Sequence, residues 1–450
     1  MDQSLSLGEK KISKLLWDYS IPAITGMLIT ALYNIVDSIF VGHGVGAVGL
    51  AAVTIAFPIM IVFMAFGMLV GVGSTTLVSI RLGQKNQAEA EKILGNAFSL
   101  SVIISILLSA AVLLLLNPIL AGLGATEDVL PLARNFSQII VLGNVFMFVG
   151  FGLNNIIRAE GNPKIAMMTM IIAAVLNVLL NPLFIFGLGL GIRGSALATV
   201  IAQVVAACWV VGHFLRPKAY LKLRLENFFL DRAIVHEIVK MGSSVFFMQI
   251  AASLVVSLFN YTLVSCGGQI AVAAMGVISR IHMLILMPVF GISQGAQSII
   301  GYNFGAQNYE RVRKTVKLAA LWATAVSTAG FAVVLLFDVY VVRLFSDDPM
   351  LIEIGSGGLK LFLCMLPVVG LQVIGAAFYQ ATARPMYALL LSMSRQVIIL
   401  IPLLLILPRF LGIQGVWLAG PVSDFGSSLL TVFLVIPALR KLKTTDSLRW

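Results

Sequence analysis

The chain is poor in charged residues: only 11% of its 450 residues are Asp, Glu, Lys or Arg, whereas 59% are hydrophobic. Soluble domains carry about 25% charged residues, so this composition excludes a water-soluble protein. A membrane-spanning α-helix needs about 20 apolar residues, and the chain divides into about twelve such segments separated by short polar turns. The composition therefore predicts an all-α polytopic membrane protein with twelve transmembrane helices.

The chain also lacks the patterns that accompany metal binding and catalysis. Its three cysteines, Cys208, Cys266 and Cys364, form no C-x-x-C pair and predict neither a disulfide nor a metal site. No P-loop, H-E-x-x-H helix or nucleophile elbow occurs. We therefore expect that the protein is not an enzyme and that it needs no cofactor.

The few charges are distributed unevenly among the turns. Most of the 30 Lys and Arg residues lie at the termini and in the even-numbered loops, so the positive-inside rule places both termini and the basic segment 216–240 in the cytoplasm. The net charge of +11 then reflects membrane topology. No nucleic-acid partner is expected.

The two halves of the chain repeat each other. Landmarks separated by 222 residues are Ala51 and Ala273, Gly83 and Gly305, Asn86 and Asn308, and Pro163 and Pro385. Chance matches among apolar residues would not keep one offset, so the sequence indicates a tandem duplication of six helices. Because six is even, both copies have the same orientation, and their relating axis lies along the membrane normal.

The duplication predicts two six-helix bundles related by a pseudo-two-fold axis along the membrane normal. We expect the N-terminal bundle to comprise residues 1–215 and the C-terminal bundle residues 241–450. Residues 216–240 form the cytoplasmic linker, which would act as a tether. Parallel repeats of this kind occur in transporters that bind substrate between their halves and expose it alternately to the two sides.

Ionisable residues inside the predicted helices are few, and each is a functional candidate because charge is costly in the bilayer. They are Asp37, Arg280, His282, Arg395 and Asp424. Asp37 lies near the outer end of the first helix, one turn after Tyr33 and Asn34. A carboxylate there can load a proton on one side and release it on the other. The alternative is that Asp37 only hydrogen-bonds to neighbouring helices.

Arg280, His282, Arg395 and Asp424 form a second candidate coupling network in the C-terminal half. Asp424 is the evident acidic partner for the two arginines, and the favoured interpretation of Arg395 and Asp424 is a structural ion pair. His282 is favoured as a packed polar residue. In the functional interpretation, a proton on Asp424 or Asp37 would release a buried arginine and couple protonation to rearrangement.

Polar residues within the helices are expected to face the protein interior, because lipid offers them no partner. Those assigned to a substrate cavity are Tyr33, Asn154, Asn155, Gln249, Asn260, Arg280, Gln294 and Tyr379. The 27 Phe and 18 Met residues would supply an adaptable apolar lining. Close helix packing is predicted at two G-x-x-x-G motifs, Gly67 to Gly71 and Gly291 to Gly295.

Four motifs of the first half form a recognisable set: Val36-Asp37-Ser38-Ile39-Phe40-Val41-Gly42, Leu50-Ala51-Ala52, Arg158-Ala159-Glu160-Gly161-Asn162-Pro163 and Asn181-Pro182-Leu183-Phe184-Ile185. With this set the sequence resembles, across essentially its whole length, the multidrug and toxic compound extrusion (MATE) transporters. Within the family the sequence is most similar to the bacterial branch that includes DinF-type proteins. In the third motif, Glu160 is expected to pair with Arg158 and order a loop.

The resemblance implies secondary active export of amphipathic, mostly cationic compounds in a bacterial or archaeal cytoplasmic membrane, driven by protons or sodium. Family members commonly carry Asn-x-x-x-Asp in helix five, whereas this chain has Asn177-x-x-x-Asn181. The missing carboxylate disfavours sodium, which prefers several oxygen ligands with negative charge. Asn34, Asn177, Asn181 and Thr199 still supply neutral oxygens around Asp37, so a sodium site there stays open.

Two hypotheses follow. The first is an antiporter that exports small amphipathic molecules by alternating access, coupled to H⁺ rather than Na⁺ through Asp37, and acting as a monomer in the lipid bilayer. The second is a flippase for lipids or lipid-linked sugars of the same superfamily, motivated by buried arginines that could meet a phosphate.

Overall fold

The computed structural model describes residues 5–217, 219–345 and 348–442, and every regular element within these ranges is a helix. The termini, predicted to be cytoplasmic, lie outside the described residues. The prediction of an all-α protein is confirmed. This outcome follows from the bilayer, in which a helix satisfies its own backbone hydrogen bonds.

The helices of the first half are α1 (Leu5–Glu9), α2 (Ile12–Val45), α3 (Ala47–Gly83), α4 (Gln87–Leu114), α5 (Leu116–Gly122), α6 (Leu130–Ala159), α7 (Pro163–Pro182) and α8 (Ile192–Leu215). Those of the second half are α9 (Arg232–Gly305), α10 (Tyr309–Arg343), α11 (Pro349–Leu363), α12 (Leu366–Ala381), α13 (Pro385–Met393), α14 (Leu400–Leu411) and α15 (Ile413–Lys441). π-helical turns follow α7 (Leu183–Gly187) and α13 (Ser394–Ile399), and a 3₁₀ turn (Leu225–Phe228) precedes α9.

Twelve membrane spans can be traced in the described part of the chain. Ten helices are long and apolar enough to cross a bilayer, and α11 with α12, bent by 48° at their junction, provides an eleventh. The 74 residues of α9 would extend about 110 Å, far more than one bilayer. Its backbone leaves the helical conformation at Gly268, so α9 comprises two spans.

The duplication is visible in the backbone. Residues with positive φ occur in pairs 222 positions apart: Gly46 and Gly268, Lys85 and Gln307, and Gly161 and Ala383. Each pair marks the same turn in the two repeats. Gly268 therefore corresponds to Gly46, the residue that separates α2 from α3, which supports the division of α9 into two spans.

Two helix starts repeat in the same way. The side chain of Asn86 accepts a hydrogen bond from the backbone N–H of Glu89 and begins α4. Asn308, 222 residues later, accepts one from the N–H of Arg311 and begins α10. An asparagine in this position satisfies a backbone donor that the helix cannot pair.

The described residues form two compact units. Unit 1 contains residues 5–9 and Thr25–Phe246, and unit 2 contains Lys10–Ile24 together with the described residues from Phe247 onward. The divisions therefore fall between α1 and α2, within α2 and within α9. Of the segment predicted as a linker, residues from Arg232 onward belong to α9. The predicted bundle boundaries stay a prediction.

Glycines allow close helix packing inside each unit. In unit 1 a Cβ atom added to Gly242 would lie 1.8 Å from the carbonyl oxygen of Leu69. In unit 2 a Cβ on Gly291 would lie 2.4 Å from Ile24 Cγ1, as its G-x-x-x-G motif predicts. For the motif from Gly67 to Gly71 the prediction is confirmed at Gly71, where a Cβ would lie 3.1 Å from Gly152 Cα. At Gly67 it is wrong, because a Cβ there would meet no atom within 4 Å.

We expect Gly242→Ala to destabilise the protein, because its methyl group would overlap a backbone carbonyl that cannot move independently of its helix. Overpacking of this kind costs about 1–3 kcal/mol. Gly67→Ala is the matched control and should leave stability unchanged or raise it by up to about 1 kcal/mol. Thermal unfolding of the purified full-length variants measures both, and equal melting temperatures would contradict the predicted contact.

Candidate functional site

A polar cluster surrounds Asp37 in unit 1. Asn181 Nδ2 donates a hydrogen bond to Asp37 Oδ1 at 2.6 Å, and Ser195 Oγ donates to the same oxygen at 3.1 Å. Asn181 Nδ2 also donates to Asn177 Oδ1 at 2.9 Å, and Asn177 Nδ2 donates to Thr199 Oγ1 at 3.1 Å. The structure thus brings together four residues assigned to the coupling site and adds Ser195.

Three helices position this cluster, because α2 provides Asp37, α7 the two asparagines, and α8 the serine and threonine. Residues one turn apart on a helix share a face, which aligns Asn177 with Asn181 and Ser195 with Thr199. Pro182 follows Asn181 and has no N–H to donate. The π-helical turn begins directly after it, at Leu183, as often occurs at functional sites.

The groups around the carboxylate are hydrogen-bond donors. Asn181 Nδ2 lies between two oxygens, Asp37 Oδ1 and Asn177 Oδ1. Rotating the Asn181 amide by half a turn would exchange its nitrogen and its oxygen. Asn181 Oδ1 would then lie beside Asp37 Oδ1 and Asn177 Oδ1, and three oxygens so close together are favourable only if a cation binds among them. Asn181 Oδ1 is buried and has no hydrogen-bond partner in the described structure. The arrangement stabilises a carboxylate with donors and leaves one amide oxygen unused.

Sequence reasoning missed Ser195, although it precedes Thr199 by one helical turn and could have been found from that spacing. Asn34 was assigned to the coupling site, but its side chain is exposed. Its backbone carbonyl accepts a hydrogen bond from Ser38 Oγ at 2.9 Å. Tyr33 is partly buried, one turn before Asp37 on α2.

The residues assigned to a substrate cavity are divided between the units and differ in exposure. In unit 1 Asn154 is buried, and Asn155 accepts a hydrogen bond from Arg158 Nη1 at 3.3 Å. In unit 2 Gln249 and Gln294 are partly buried, while Asn260 and Arg280 are exposed.

Tyr379 does not fit a cavity role in this structure. Its side chain is only 2% exposed, and its hydroxyl donates to the carbonyl of Leu434 at 2.8 Å. Its ring stacks on Tyr387 at 5.0 Å between centroids. These contacts fix Tyr379 within the packing of unit 2, so no polar atom of its side chain is left for a ligand.

The second predicted network is only partly assembled. Arg395 Nε lies 2.6 Å from Asp424 Oδ1, and both side chains are largely buried. Ser423 Oγ donates to the backbone carbonyl of Arg395, which lies in the π-helical turn between α13 and α14. His282 makes an edge contact with Phe362, at 5.8 Å between ring centroids. The expectation that Arg280 is buried is wrong, since its side chain is exposed.

Glu160 has a different partner from the one expected. Its Oε1 lies 2.6 Å from His213 Nε2, and Asn162 Nδ2 donates to the same oxygen at 2.7 Å. Arg158 donates instead to Asn155. No spacing signal in the sequence indicated the His213 contact, because 53 residues separate the two side chains.

Comparisons with known proteins agree with this geometry. The MatE family model matches residues 22–183 and 244–406, one match in each repeat. The chain is 28% identical over 448 residues to "Multidrug export protein MepA" of Staphylococcus haemolyticus, covering 99% of this chain and 98% of that protein.

Solved structures agree along nearly the whole chain. The structure of the "MATE multidrug transporter DinF-BH", solved in complex with a small-molecule ligand, superimposes with a TM-score of 0.89 at 40% identity, covering 96% of this chain and 97% of that one. An outward-facing "multidrug resistance MATE family transporter of the MOP superfamily" superimposes with a TM-score of 0.92 at 25% identity, covering 98% of each chain. The predicted fold of twelve transmembrane helices is confirmed.

We expect the Arg395 and Asp424 pair to stabilise unit 2. Arg395→Met alone should cost about 3–5 kcal/mol, because it leaves a buried carboxylate without its cation. Arg395→Met with Asp424→Leu should recover most of that loss, since an apolar pair can replace a buried ion pair. Thermal unfolding of the full-length variants measures both effects.

Transport by the double variant separates the two interpretations of this pair. A stable double variant that still transports would support a structural role. A stable double variant without transport would contradict it and assign the pair to coupling.

Proposed function

The chain belongs to the MatE family of transporters, and from this premise we propose that it exports amphipathic, mostly cationic compounds in exchange for protons by alternating access. The membrane-embedded fold and the family exclude an enzyme. The observation that carries the coupling proposal is the Asp37 carboxylate, held partly buried by Asn181 and Ser195. The relatives described as multidrug exporters support the substrate class.

Protons fit the Asp37 cluster better than sodium does. A sodium ion needs several oxygens directed at it, with adequate negative charge. Here the hydrogen bonds from Asn181 and Ser195 direct donors at Asp37, and the second acidic position of the family pattern is Asn181. For sodium to bind, the Asn181 amide would have to turn its oxygen toward the ion. A proton needs no such rearrangement, because a protonated carboxyl can keep accepting a hydrogen bond on one oxygen.

The flippase hypothesis keeps only part of its structural motivation, and the relatives described as multidrug exporters do not favour it. It rested on buried arginines that could meet a phosphate, but Arg395 is already paired with Asp424, which leaves the exposed Arg280. A buried arginine held by a carboxylate has no net charge to offer an anionic headgroup. We therefore favour export of small molecules over flipping of a lipid-linked sugar.

We propose that the protein works in a bacterial or archaeal cytoplasmic membrane as a monomer, with both termini in the cytoplasm. The membrane location is supported by the fold, because ten helices in the described residues are long and apolar enough to cross a bilayer. The cytoplasmic position of the termini is supported by the basic loops on the same side, through the positive-inside rule.

Asp37→Asn should abolish coupled transport, because an amide cannot exchange a proton. We expect uptake of a fluorescent cationic dye into proteoliposomes under a proton gradient alone to fall at least about tenfold, consistent with an essential intramembrane carboxylate. Asp18→Asn is the matched control, since Asp18 is on the same helix and pairs with Lys10 at 3.7 Å. Transport driven by protons in the Asp37→Asn variant would overturn the coupling assignment.

Asn181→Asp should restore sensitivity to sodium. The change supplies a second carboxylate beside Asp37, and with it the negative charge that a hard cation prefers. We expect a sodium gradient alone to drive dye transport by the variant several-fold faster than by the wild type. The control replaces sodium with potassium at equal ionic strength. If sodium has no effect on the variant, the missing carboxylate is not what excludes this ion.

A further inference from the structure

Residues 219–231, which we call the strap, lie against α4 in unit 1. Gln87 Nε2 donates to the carbonyl of Tyr220 at 2.6 Å. Glu91 accepts from the backbone N–H of Lys222 at 3.3 Å and pairs with Arg224 Nε at 3.0 Å. The segment between the repeats therefore has fixed contacts and is not a free loop.

The contacts continue along α4 toward its apolar part. Ser99 Oγ donates to the carbonyl of Phe228 at 2.8 Å, and Phe98 stacks on Phe228 at 5.0 Å between ring centroids. Asn96 Oδ1 accepts from the backbone N–H of Asp231 at 2.7 Å. From Gln87 to Ser99 the strap follows α4 for about 18 Å. Beyond Ser99, α4 carries no charged residue.

The residues of α4 that hold the strap occur in the first repeat and are replaced in the second. A Cβ on Gly95 would lie 2.5 Å from the carbonyl oxygen of Asn227, so glycine is what allows the strap to approach α4. At the position 222 residues later the second repeat has Lys317. The positions equivalent to Asn96 and Ser99 are Leu318 and Leu321, which cannot make these hydrogen bonds. Of the two repeats, the first alone therefore has the residues that bind the strap.

The strap presents large apolar side chains outward. Leu225 is 79% exposed and Phe229 84% exposed. Their neighbours Arg224 and Phe228 contact Glu91 and Phe98 of α4, and further along this helix Ile106 and Leu107 are exposed. The exposed apolar face of a spanning helix meets lipid, so apolar side chains next to the end of such a face are suited to the membrane interface, where amphipathic segments insert apolar groups.

Exposed cations flank these apolar side chains. Lys222 of the strap and Arg232, which follows it at the start of α9, are exposed, and neither forms an ion pair within the described parts of the chain. The strap also exposes two carboxylates, Glu226 and Asp231. Over residues 216–240, Lys and Arg outnumber Asp and Glu by six to three, so the segment as a whole is basic. The positive-inside rule places this segment on the cytoplasmic side. Clusters of basic residues directly beside a membrane helix on that side attract anionic lipid headgroups.

We propose that the strap is a binding surface for anionic phospholipid of the cytoplasmic leaflet. Leu225 and Phe229 contact the acyl chains, while Lys222 and Arg232 contact the headgroup phosphate. A symmetric contact with a second copy fits less well, because residues 216–240 would bring their net positive charge together from both copies. A soluble acidic partner would leave Phe229 without an apolar environment.

The first test measures lipid binding to the detergent-solubilised full-length chain by native mass spectrometry. Short-chain phosphatidylglycerol is compared with phosphatidylcholine of the same chain length. We expect the wild type to prefer phosphatidylglycerol, and Lys222→Gln with Arg232→Gln to weaken its binding by roughly tenfold or more. The matched control is Lys164→Gln with Lys317→Gln, which removes two charges from exposed positions on α7 and α10.

Three results would overturn the proposal. One is equal binding of both lipids by the wild type, and another is an equal loss of affinity in the strap and control variants, which would indicate general charge attraction. The third is a dimer that disappears in a Leu225→Ser and Phe229→Ser variant, which would assign the surface to a second copy. Equal melting temperatures of all variants verify that folding is unchanged.

The second test locates the Phe229 side chain in nanodiscs. A spin label is attached at Phe229→Cys in a chain whose three native cysteines are replaced by serine. We expect the label to be more accessible to oxygen than to a water-soluble nickel complex, whereas a label at the exposed Lys164→Cys should show the reverse. Greater accessibility of the Phe229 label to nickel would place the strap in water and contradict the proposal.

Discussion

Polar groups in the bilayer core have no water to bind, so every one of them needs a partner in the protein. This constraint explains the helical backbone and also the shape of the candidate site. Asp37 is held by Asn181 and Ser195, Asn181 by Asn177, and Asn177 by Thr199, so that one ionisable group organises three helices. Arg395 and Asp424 satisfy the same constraint by pairing with each other. An unused atom in such a cluster, like Asn181 Oδ1, is where a change of protonation or an ion can act.

The two repeats share the backbone geometry of their turns and helix starts, but they do not share the polar residues of the candidate site. Turns and helix starts recur at one offset, because the backbone geometry that re-enters the membrane is the same in both repeats. The position equivalent to Asp37 is Phe259, a buried ring in edge contact with Phe362. The position equivalent to Asn181 is Leu403. The polar cluster around Asp37 thus belongs to the first repeat, as do the residues of α4 that hold the strap.

The fold was largely predictable, because apolar segment length and the constant offset depend only on the bilayer and on gene duplication. The family resemblance also predicted that Asn177, Asn181 and Thr199 gather near Asp37. The spacing of residues along the sequence could not predict contacts between distant segments, such as the contact of His213 with Glu160. Burial was equally difficult, since Arg280 was expected to be buried and is exposed, whereas Tyr379 was expected to line a cavity and is 2% exposed. These outcomes depend on helix rotation and tilt, which packing determines and composition does not.

The division between the units changes the expected role of the connecting segment. A tether in water would have no fixed contacts, but the strap is held against α4. Two of the divisions between the units fall inside helices, at Ile24 and Thr25 in α2 and at Phe246 and Phe247 in α9, so each of these helices contributes residues to both units. Asp37 lies on the part of α2 that belongs to unit 1, while Ile12 to Ile24 of the same helix pack in unit 2. Asp37, the residue proposed for coupling, therefore lies on a helix whose two parts belong to different units.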